Sequence, residues 1–483
     1  MKNARLLLAG ALVATITAQA FAQTVLTPSY NVPLHDGIAS FLGSLSVNGQ
    51  RATVYTYKSN FANKFHLATY DTTTGRLIRA NKDSRLFRDG VSGARSLNNL
   101  STVALVQQDY DGDNPTVGNR LIQVRTDGSL AEYAASPRAD FSFWDVQNTG
   151  GVTYFAGGGI SYVGTDFNSE DYPNVWFRST TGVEWNFRPF EGDRFTAGNI
   201  DAQGNLWTSL SGRPVQNDDT GNYLMRFNRA GDMRQKFSLP YVVDFILSVP
   251  TARVAPTLED VLIFGGGLVR RADTVNGLGP TVPFAGSVRN ATRLPNGQYF
   301  IQAIVGIDNR RFLVNPDFSI VDEYPAVAVT WDQNGRIAEQ STSSDFAFSL
   351  ALPSGSTNFS MTGVGQLGYF GFDRYNNVVA MTTSASRPRL VGVSNLKSIT
   401  PDASTPVNGQ TVTFRIDLQF GAGPGGMPLQ LESSPGITLP TNVIVAPGAM
   451  FAEVQGTVTA TSGLLRVNAV GGGARVQSSV TVG

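Results

Sequence analysis

Asn199–Pro240, NIDAQGNLWTSLSGRPVQNDDTGNYLMRFNRAGDMRQKFSLP, reads as two β-hairpins in succession. Asp201–Gly204 makes a tight turn and Asn205–Leu210 leaves it as a strand. After a polar loop, Tyr223–Phe227 enters a second turn at Arg229–Asp232, and Arg234–Leu239 leaves that one. Four short strands in about 42 residues are one blade of a β-propeller, and the chain before about residue 395 carries worn copies of the unit.

The inner hairpin turns fall at Asn48-Gly49, Asn98-Asn99, Gly150-Gly151, Gln203-Gly204, Glu259-Asp260, Asn296-Gly297, Asn334-Gly335 and Asn376-Asn377. Asn and Gly suit such turns because they tolerate positive φ. From Gly49 to Gly297 the turns recur about every 50 residues, and the last two steps are 38 and 42. Outer hairpins lie between them, clearest at His66–Ala80, Arg120–Ala134, Val175–Phe190, Tyr223–Phe237 and Arg311–Pro325, and weaker at Gly267–Gly279 and Phe346–Phe359. Seven full units are followed by a last inner hairpin at Tyr369–Thr383. The leftover strands Thr24–Val32 and Arg389–Val393 are expected to join that hairpin, closing the ring with both termini and removing open edges. The count is eight blades, with seven as the alternative.

Near Asn395 the character changes. The chain from Leu396 to Gly483 has no Trp or Tyr. Within it, TVTFRIDLQF (Thr411–Phe420) puts Val412, Phe414, Ile416, Leu418 and Phe420 on one face and Thr413, Arg415, Asp417 and Gln419 on the other, the pattern of a half-buried strand. Short strands at regular spacing follow and predict an immunoglobulin-like sandwich. The fold class is therefore all-β. Residues 1–22 are a signal peptide, 23–394 the propeller and 395–483 the sandwich.

The phrase IDAQGNLWTS resembles the turn of NHL-type and streptogramin-lyase-like propeller repeats. In the tail, VNGQTVTFRIDL, GGMPLQLESSPGITLP, VIVAPGAMFAEVQGTV and the closing VTVG resemble a bacterial Ig-like domain of cell-surface proteins. The second resemblance implies a spacer or stalk, and display or secretion. The first does not bring its activity with it. That site rests on histidines, an acidic partner and a metal, whereas this chain has only His35 and His66, far in sequence from the best-matching repeat.

Composition bounds the rest. Apolar residues are 41% and charged residues 15% of 483, enough for a large core and against disorder. Lys and Arg balance Asp and Glu at 37 each, and losing Lys2 and Arg5 with the leader leaves a net charge of −2. No footprint for nucleic acid or an acidic membrane surface follows. Lys2 and Arg5, the apolar run Leu6–Ile16 and Ala20-Phe21-Ala22 form an export signal with cleavage before Gln23. The run is too short to span a bilayer, which takes roughly 20 residues, and no later segment is a candidate. There is no cysteine, which removes disulfides, a lipidated cysteine, a thiol nucleophile and thiolate metal ligands.

The strongest local candidate for chemistry is Asp109-Tyr110-Asp111-Gly112-Asp113-Asn114. Alternating carboxylates converge readily on Ca²⁺, and Asp109, Asp111 and Asp113 are the candidate ligands. As an EF-hand loop the stretch fails, with Asn114 at the Gly position and Arg120 at the Glu position. A solvated turn is the favoured reading, and a looser calcium loop the other. Asp166, Glu170 and Asp171, and Asp218-Asp219, read as surface turns. Gly157-Gly158-Gly159 and Gly265-Gly266-Gly267 read as tight crossings, since neither opens a phosphate-binding helix. The tryptophans, Trp144, Trp176, Trp185, Trp207 and Trp331, sit in strand patterns and are expected between blades rather than as sugar platforms.

No catalytic residue set emerges. The expectation is an exported, non-enzymatic binding or display protein with an unknown protein or glycan partner. The alternative is a tunnel-site enzyme such as a calcium-dependent lactonase-like hydrolase, which needs no histidine. A structural surface-layer component is a third possibility.

Overall fold

The computed structural model describes residues 24–34, 43–56, 66–82, 91–96, 102–106, 120–135, 142–149, 151–158, 175–187, 194–211, 221–250, 259–284, 286–324, 329–341, 346–383 and 388–483. Among the described residues, eight four-stranded sheets precede Ser394, one with an added fifth strand. The innermost strand of each comes first in the chain, except that the last blade borrows its outer strand from the N-terminus. Blade 8 consists of Gln366–Phe372, Val378–Thr383, Arg389–Val393 and, outermost, Tyr30–Pro33. The expected ring of eight, closed by both termini, is thus the observed one.

The N-terminal strap divides its work. Asn31 pairs with Val391 and Val32 with Leu390 in blade 8. Thr24 and Val25 instead run parallel to Phe359 and Ser360 on the outer edge of blade 7, and Leu26 drops into the core between the two blades.

Blade 4 shows how the sequence dictates the packing. Its second strand, Leu206–Ser211, is buried on both faces. Side chains alternate across a strand, so Leu206 and Leu210 face blade 3 while Trp207 faces blade 5. The outer strand Met233–Leu239 is mostly exposed. The core of the ring is therefore a set of interblade layers. Aromatic pairs carry several of them: Trp185 of blade 3 against Phe227 of blade 4 at 5.4 Å between ring centroids, Phe300 of blade 6 against Trp331 of blade 7 at 5.8 Å. Trp176 and Trp207 are fully buried, as the packing expectation requires.

The turns share one form. In Arg125–Ser129, Ser179–Val183, Asp201–Asn205, Asn228–Asp232, Leu294–Gln298, Asn315–Ser319, Asp332–Arg336 and Asp373–Asn377, the first residue's amide bonds the fifth carbonyl, and the fourth amide bonds the first carbonyl. This is a type I turn followed by a left-handed residue that forms a bulge. The fourth position is Gly in six of them, and Phe318 (φ 68°) and Asn376 (φ 62°) in the other two. The Asn of each Asn-Gly pair therefore keeps negative φ, and only its partner needs the special conformation.

Two expected turns fail. Glu259 and Asp260 are not a turn: they open the second strand of blade 5, paired with Pro250 and Val249. The apolar run that follows had hidden where the strand begins. Gly157 and Gly158 are not a crossing, because both lie inside the strand Val152–Gly158, opposite Trp176 and Val175. Gly266 and Gly267 do form a two-residue crossing, both at positive φ. The Asn98-Asn99 turn lies outside the described residues.

From Leu396 onward two four-stranded sheets face each other. One holds Leu396–Pro401, Thr411–Leu418, Phe451–Val458 and Ile437–Thr438. The other holds Asn442–Val445, Met427–Ser433, Gly463–Gly471 and Ala474–Val482. Val412, Phe414, Ile416 and Leu418 from the first sheet and Leu429, Leu431, Val467 and Val480 from the second form one core, a β-sandwich. Phe420, expected on that same face, is not part of it. The strand stops at Leu418, and the Phe420 ring packs on Phe359 of blade 7 at 5.1 Å and Phe372 of blade 8 at 6.0 Å.

Candidate functional site

The ring has two unlike ends. At one end lie the turns joining first to second and third to fourth strands. At the other, the first strands start and the second strands hand over to the third.

At the turn end, the Asp that begins a turn is a buried acceptor. The Asp201 carboxylate takes the amides of Gln203 and Asn205, the Asn205 carboxamide and the Trp207 indole N–H at 3.2 Å. Asp332 takes the amides of Asn334 and Arg336 and is forked by the Arg336 guanidinium. Asp373 takes the amides of Tyr375 and Asn377, the Asn377 side chain, and the Thr72 hydroxyl of blade 1 at 2.9 Å. Burial pushes the Asp373 pKa up, against these donors. Fixed acceptors of this kind rigidify a turn and are not nucleophiles or bases open to a substrate.

The sandwich sits on this end. Asn395, fully buried, accepts the Phe420 amide at 2.7 Å and donates to the carbonyls of Tyr375 and Gly421 at 2.8 and 2.7 Å. Its own amide bonds Asn377 Oδ1 at 2.8 Å. Asn376 also donates to the Gly421 carbonyl, at 3.1 Å, Asn334 of blade 7 donates to the Ala422 carbonyl at 3.0 Å, and Arg336 reaches the Phe420 carbonyl.

At the other end, five first strands carry a bulge just inside their start: at Val91/Gly93, Phe143/Asp145, Phe195/Ala197, Val288/Asn290 and Leu367/Tyr369. Bulges re-aim side chains and cluster beside functional openings. Here Arg289 and Asn290 are exposed on the innermost strand of blade 6, and Tyr369 is 42% exposed on that of blade 8. Two titratable groupings accompany them. Burial raises the Asp244 pKa, countered by the Ser287 hydroxyl and the Arg289 guanidinium. Burial, and then the Asp322 carboxylate, raise the pKa of Glu339. Burial and the same Asp322 push the Tyr324 phenol up. Each of these groups is shifted toward its protonated form. Among the described residues no three His, Cys, Asp or Glu side chains converge to hold a metal ion.

The connections at this end differ in length. Second and third strands are joined by residues 57–65, 107–119, 159–174 and 212–221 in blades 1 to 4. In blades 5 and 6 the joint is only Gly266-Gly267 and Gly306-Ile307. Asp109, Asp111 and Asp113 fall in the blade 2 connection, Asp166, Glu170 and Asp171 in that of blade 3, and Asp218-Asp219 in that of blade 4, all outside the described residues. His35 lies outside them too. His66 opens the third strand of blade 1, paired with Lys82. Sequence reasoning missed Asn395, Phe420, Asp373 and Thr72. The only signal was the dense Asn and Asp content of the turns.

No family model matches the chain, and no curated protein matches it. Solved structures that resemble it include virginiamycin B lyase from Staphylococcus aureus, at 11% identity over 62% of this chain and 94% of that one, with a TM-score of 0.38. BBS1N, solved in complex with ARL6DN, matches at 10% identity over 77% and 97%, TM-score 0.35. Dipeptidyl peptidase 4 of Porphyromonas gingivalis matches at 10% over 81% and 65%, TM-score 0.43. The expected likeness to streptogramin-lyase-type propellers is thus present among solved structures, and it carries nothing about chemistry.

Proposed function

We propose that this is an exported, non-enzymatic binding protein that presents the strand-start end of its propeller to a protein or glycan partner, with the C-terminal sandwich, read as Ig-like, on the opposite end. The observation that carries the reading is the contrast between the ends. The turn end is engaged by Phe420 and Asn395. The other end holds the bulged first strands and the long connections of blades 1 to 4. Binding surfaces are built this way, on connections held by a rigid scaffold. Export rests on the leader sequence, and the tail resemblance favours the cell surface.

Two assays of residues 23–483 test it. The chain is first screened on a glycan array and a peptide array. The expected result is saturable binding that is lost when residues 159–174 are replaced by a Gly-Gly crossing like that of blade 5. Binding that survives replacement of each long connection, in turn and together, sinks the assignment of the surface. Hydrolysis of aryl esters and lactones is then followed with and without calcium, with rates no higher than buffer expected. Saturable turnover that copurifies with the chain overturns the non-enzymatic reading.

A further inference from the structure

We infer that the C-terminal sandwich is a clasp on the ring's closing seam: its docking and the docking of the N-terminal strap are one cooperative event. The inference concerns the sandwich and the strap, and stands whether or not the opposite end binds a partner.

The seam is where blade 8, completed by the strap, meets blade 1. The propeller contacts of the sandwich named above fall on blades 7 and 8, on one side of that seam, and a further contact reaches blade 1 on the other. On the blade 1 side, the Gly472-Gly473 turn of the sandwich lies against the ring so closely that a Cβ on Gly473 would stand 1.9 Å from the Thr73 carbonyl oxygen. A Cβ on Gly472 would stand 2.7 Å from Asn377 Oδ1 of blade 8, and one on Gly423 would stand 2.6 Å from the Arg374 carbonyl. Backbone meets backbone at Gly473 and Gly423, which is a fitted joint and not a tether.

Hydrogen bonds run through the joint without a break. The Thr72 hydroxyl of blade 1 and the Asn377 amide group both donate to Asp373 Oδ2, each at 2.9 Å. Asn377 Oδ1 accepts from the Asn395 amide, Asn395 Oδ1 from the Phe420 amide, and the Gly421 carbonyl from both Asn395 and Asn376. Asn376 Oδ1 then accepts the Gln333 amide of blade 7 at 2.8 Å. Asp373, Asn376, Asn377 and Asn395 are all essentially buried. A buried amide stripped of one partner must leave another group unsatisfied, so the members stand or fall together. The strap is part of the same chain. Ser29 Oγ accepts the Ser394 amide at 2.9 Å, and the Ser394 carbonyl accepts Gln419 Nε2 of the sandwich at 3.0 Å. One residue, Ser394, thus holds the strap with one backbone group and the sandwich with the other.

Hydrogen exchange on residues 23–483 tests the coupling. In the unaltered chain, sub-denaturing urea should bring peptides covering 24–34, 388–395 and 419–423 onto one opening curve, because a cooperative unit opens as a whole. Separate curves for strap and sandwich overturn the proposal, and this arm needs no variant. In Asn395→Ala, strap peptides should exchange at least tenfold faster, while those of blades 4 and 5 stay within twofold of wild type. Acceleration confined to 396–483, with the strap unchanged, overturns it as well. Gly473→Ala, which disturbs the joint without removing a hydrogen bond, should reproduce the strap effect.

Discussion

Thr72 of the first blade donates its hydroxyl to Asp373 of the last at 2.9 Å, across a sequence separation of 301 residues. The bond joins the two ends of the propeller's chain where neither belongs to a shared sheet. Thr72→Val keeps the shape and removes the donor. It should cost about 1–3 kcal/mol, the range for a buried acceptor deprived of a partner, read as a lowered melting temperature with an unchanged far-ultraviolet spectrum.

Asp373 and Asp71 lie on either side of this bond and titrate in opposite senses. Burial raises the Asp373 pKa, so its proton is held more tightly folded than unfolded. Its contribution is fully present below the ordinary value of 3.8 and is lost as pH rises through the raised one. Partial burial acts the same way on Asp71, but hydrogen bonds from the hydroxyls and amides of Thr73 and Thr74 outweigh it and lower the pKa. Its contribution is present above 3.8 and is lost as pH falls through the lowered value. Melting temperatures between pH 7 and pH 3 should therefore show the wild type gaining on Asp373→Asn as the pH drops, and losing ground to Asp71→Asn. Parallel profiles for both variants would exclude these assignments.

Two turn glycines separate backbone conformation from packing. Gly151 (φ 81°) has no heavy atom within 4 Å of a built Cβ, whereas at Gly204 (φ 80°) that Cβ would stand 2.7 Å from the Tyr154 ring. Gly151→Ala should cost only the left-handed conformation, about 1–2 kcal/mol. Gly204→Ala should cost clearly more, because it must also displace Tyr154 from the layer between blades 3 and 4. Equal losses in chemical denaturation would contradict this.

Phe318 and Asn376 occupy the position that six sister turns give to glycine. Phe318 stacks on Tyr299 at 5.9 Å between centroids, and Asn376 is held by Gln333 and Gly421. Phe318→Gly relieves about 1–2 kcal/mol of backbone cost but forfeits the ring contact, about 0.5–1.5 kcal/mol, and the packing of the ring on the core between blades 5 and 6, so it should be mildly destabilising. Asn376→Gly gains the same relief but orphans buried groups on both sides, and should be destabilising.

Calcium gives a simple check on Asp109, Asp111 and Asp113. A solvated turn predicts the same melting temperature in millimolar calcium and in chelator. A rise with calcium would mean that the native state binds the ion. Asp111→Asn would then be expected to remove the rise.

Much of the ring was legible because its signals are local. A hairpin is announced by its own turn residues, and the period followed from their spacing. The closing role of Tyr30–Pro33 was legible too, because blade 8 lacked an outer strand and the N-terminus had one to spare. Glu259 and Asp260 misled because an acidic pair looks like a turn, while pairing with Pro250 and Val249 placed them in a strand. Phe420 misled for a different reason. It obeys the alternation of the strand before it, yet the strand ends two residues earlier and the ring is claimed by Phe359 and Phe372. Which of two cores takes a side chain is settled between distant segments, and no local pattern records it. Asn395 was invisible for the same reason, since its partners come from two other segments, 375–377 and 419–421.

The strap has a consequence for how this protein is made. Asn31 pairs with Val391, so the bond that shuts the ring joins nearly the first described strand to the last before the sandwich. Loop closure of that span carries a high entropic cost, and non-local pairings of this kind form late and slowly. Until residues 388–393 have been synthesised, Tyr30–Pro33 has no strand to pair with. Blades can assemble in order behind it, but the ring stays open at one edge throughout. Seam variants such as Thr72→Val should therefore speed unfolding more than they slow the formation of blades 2 to 6.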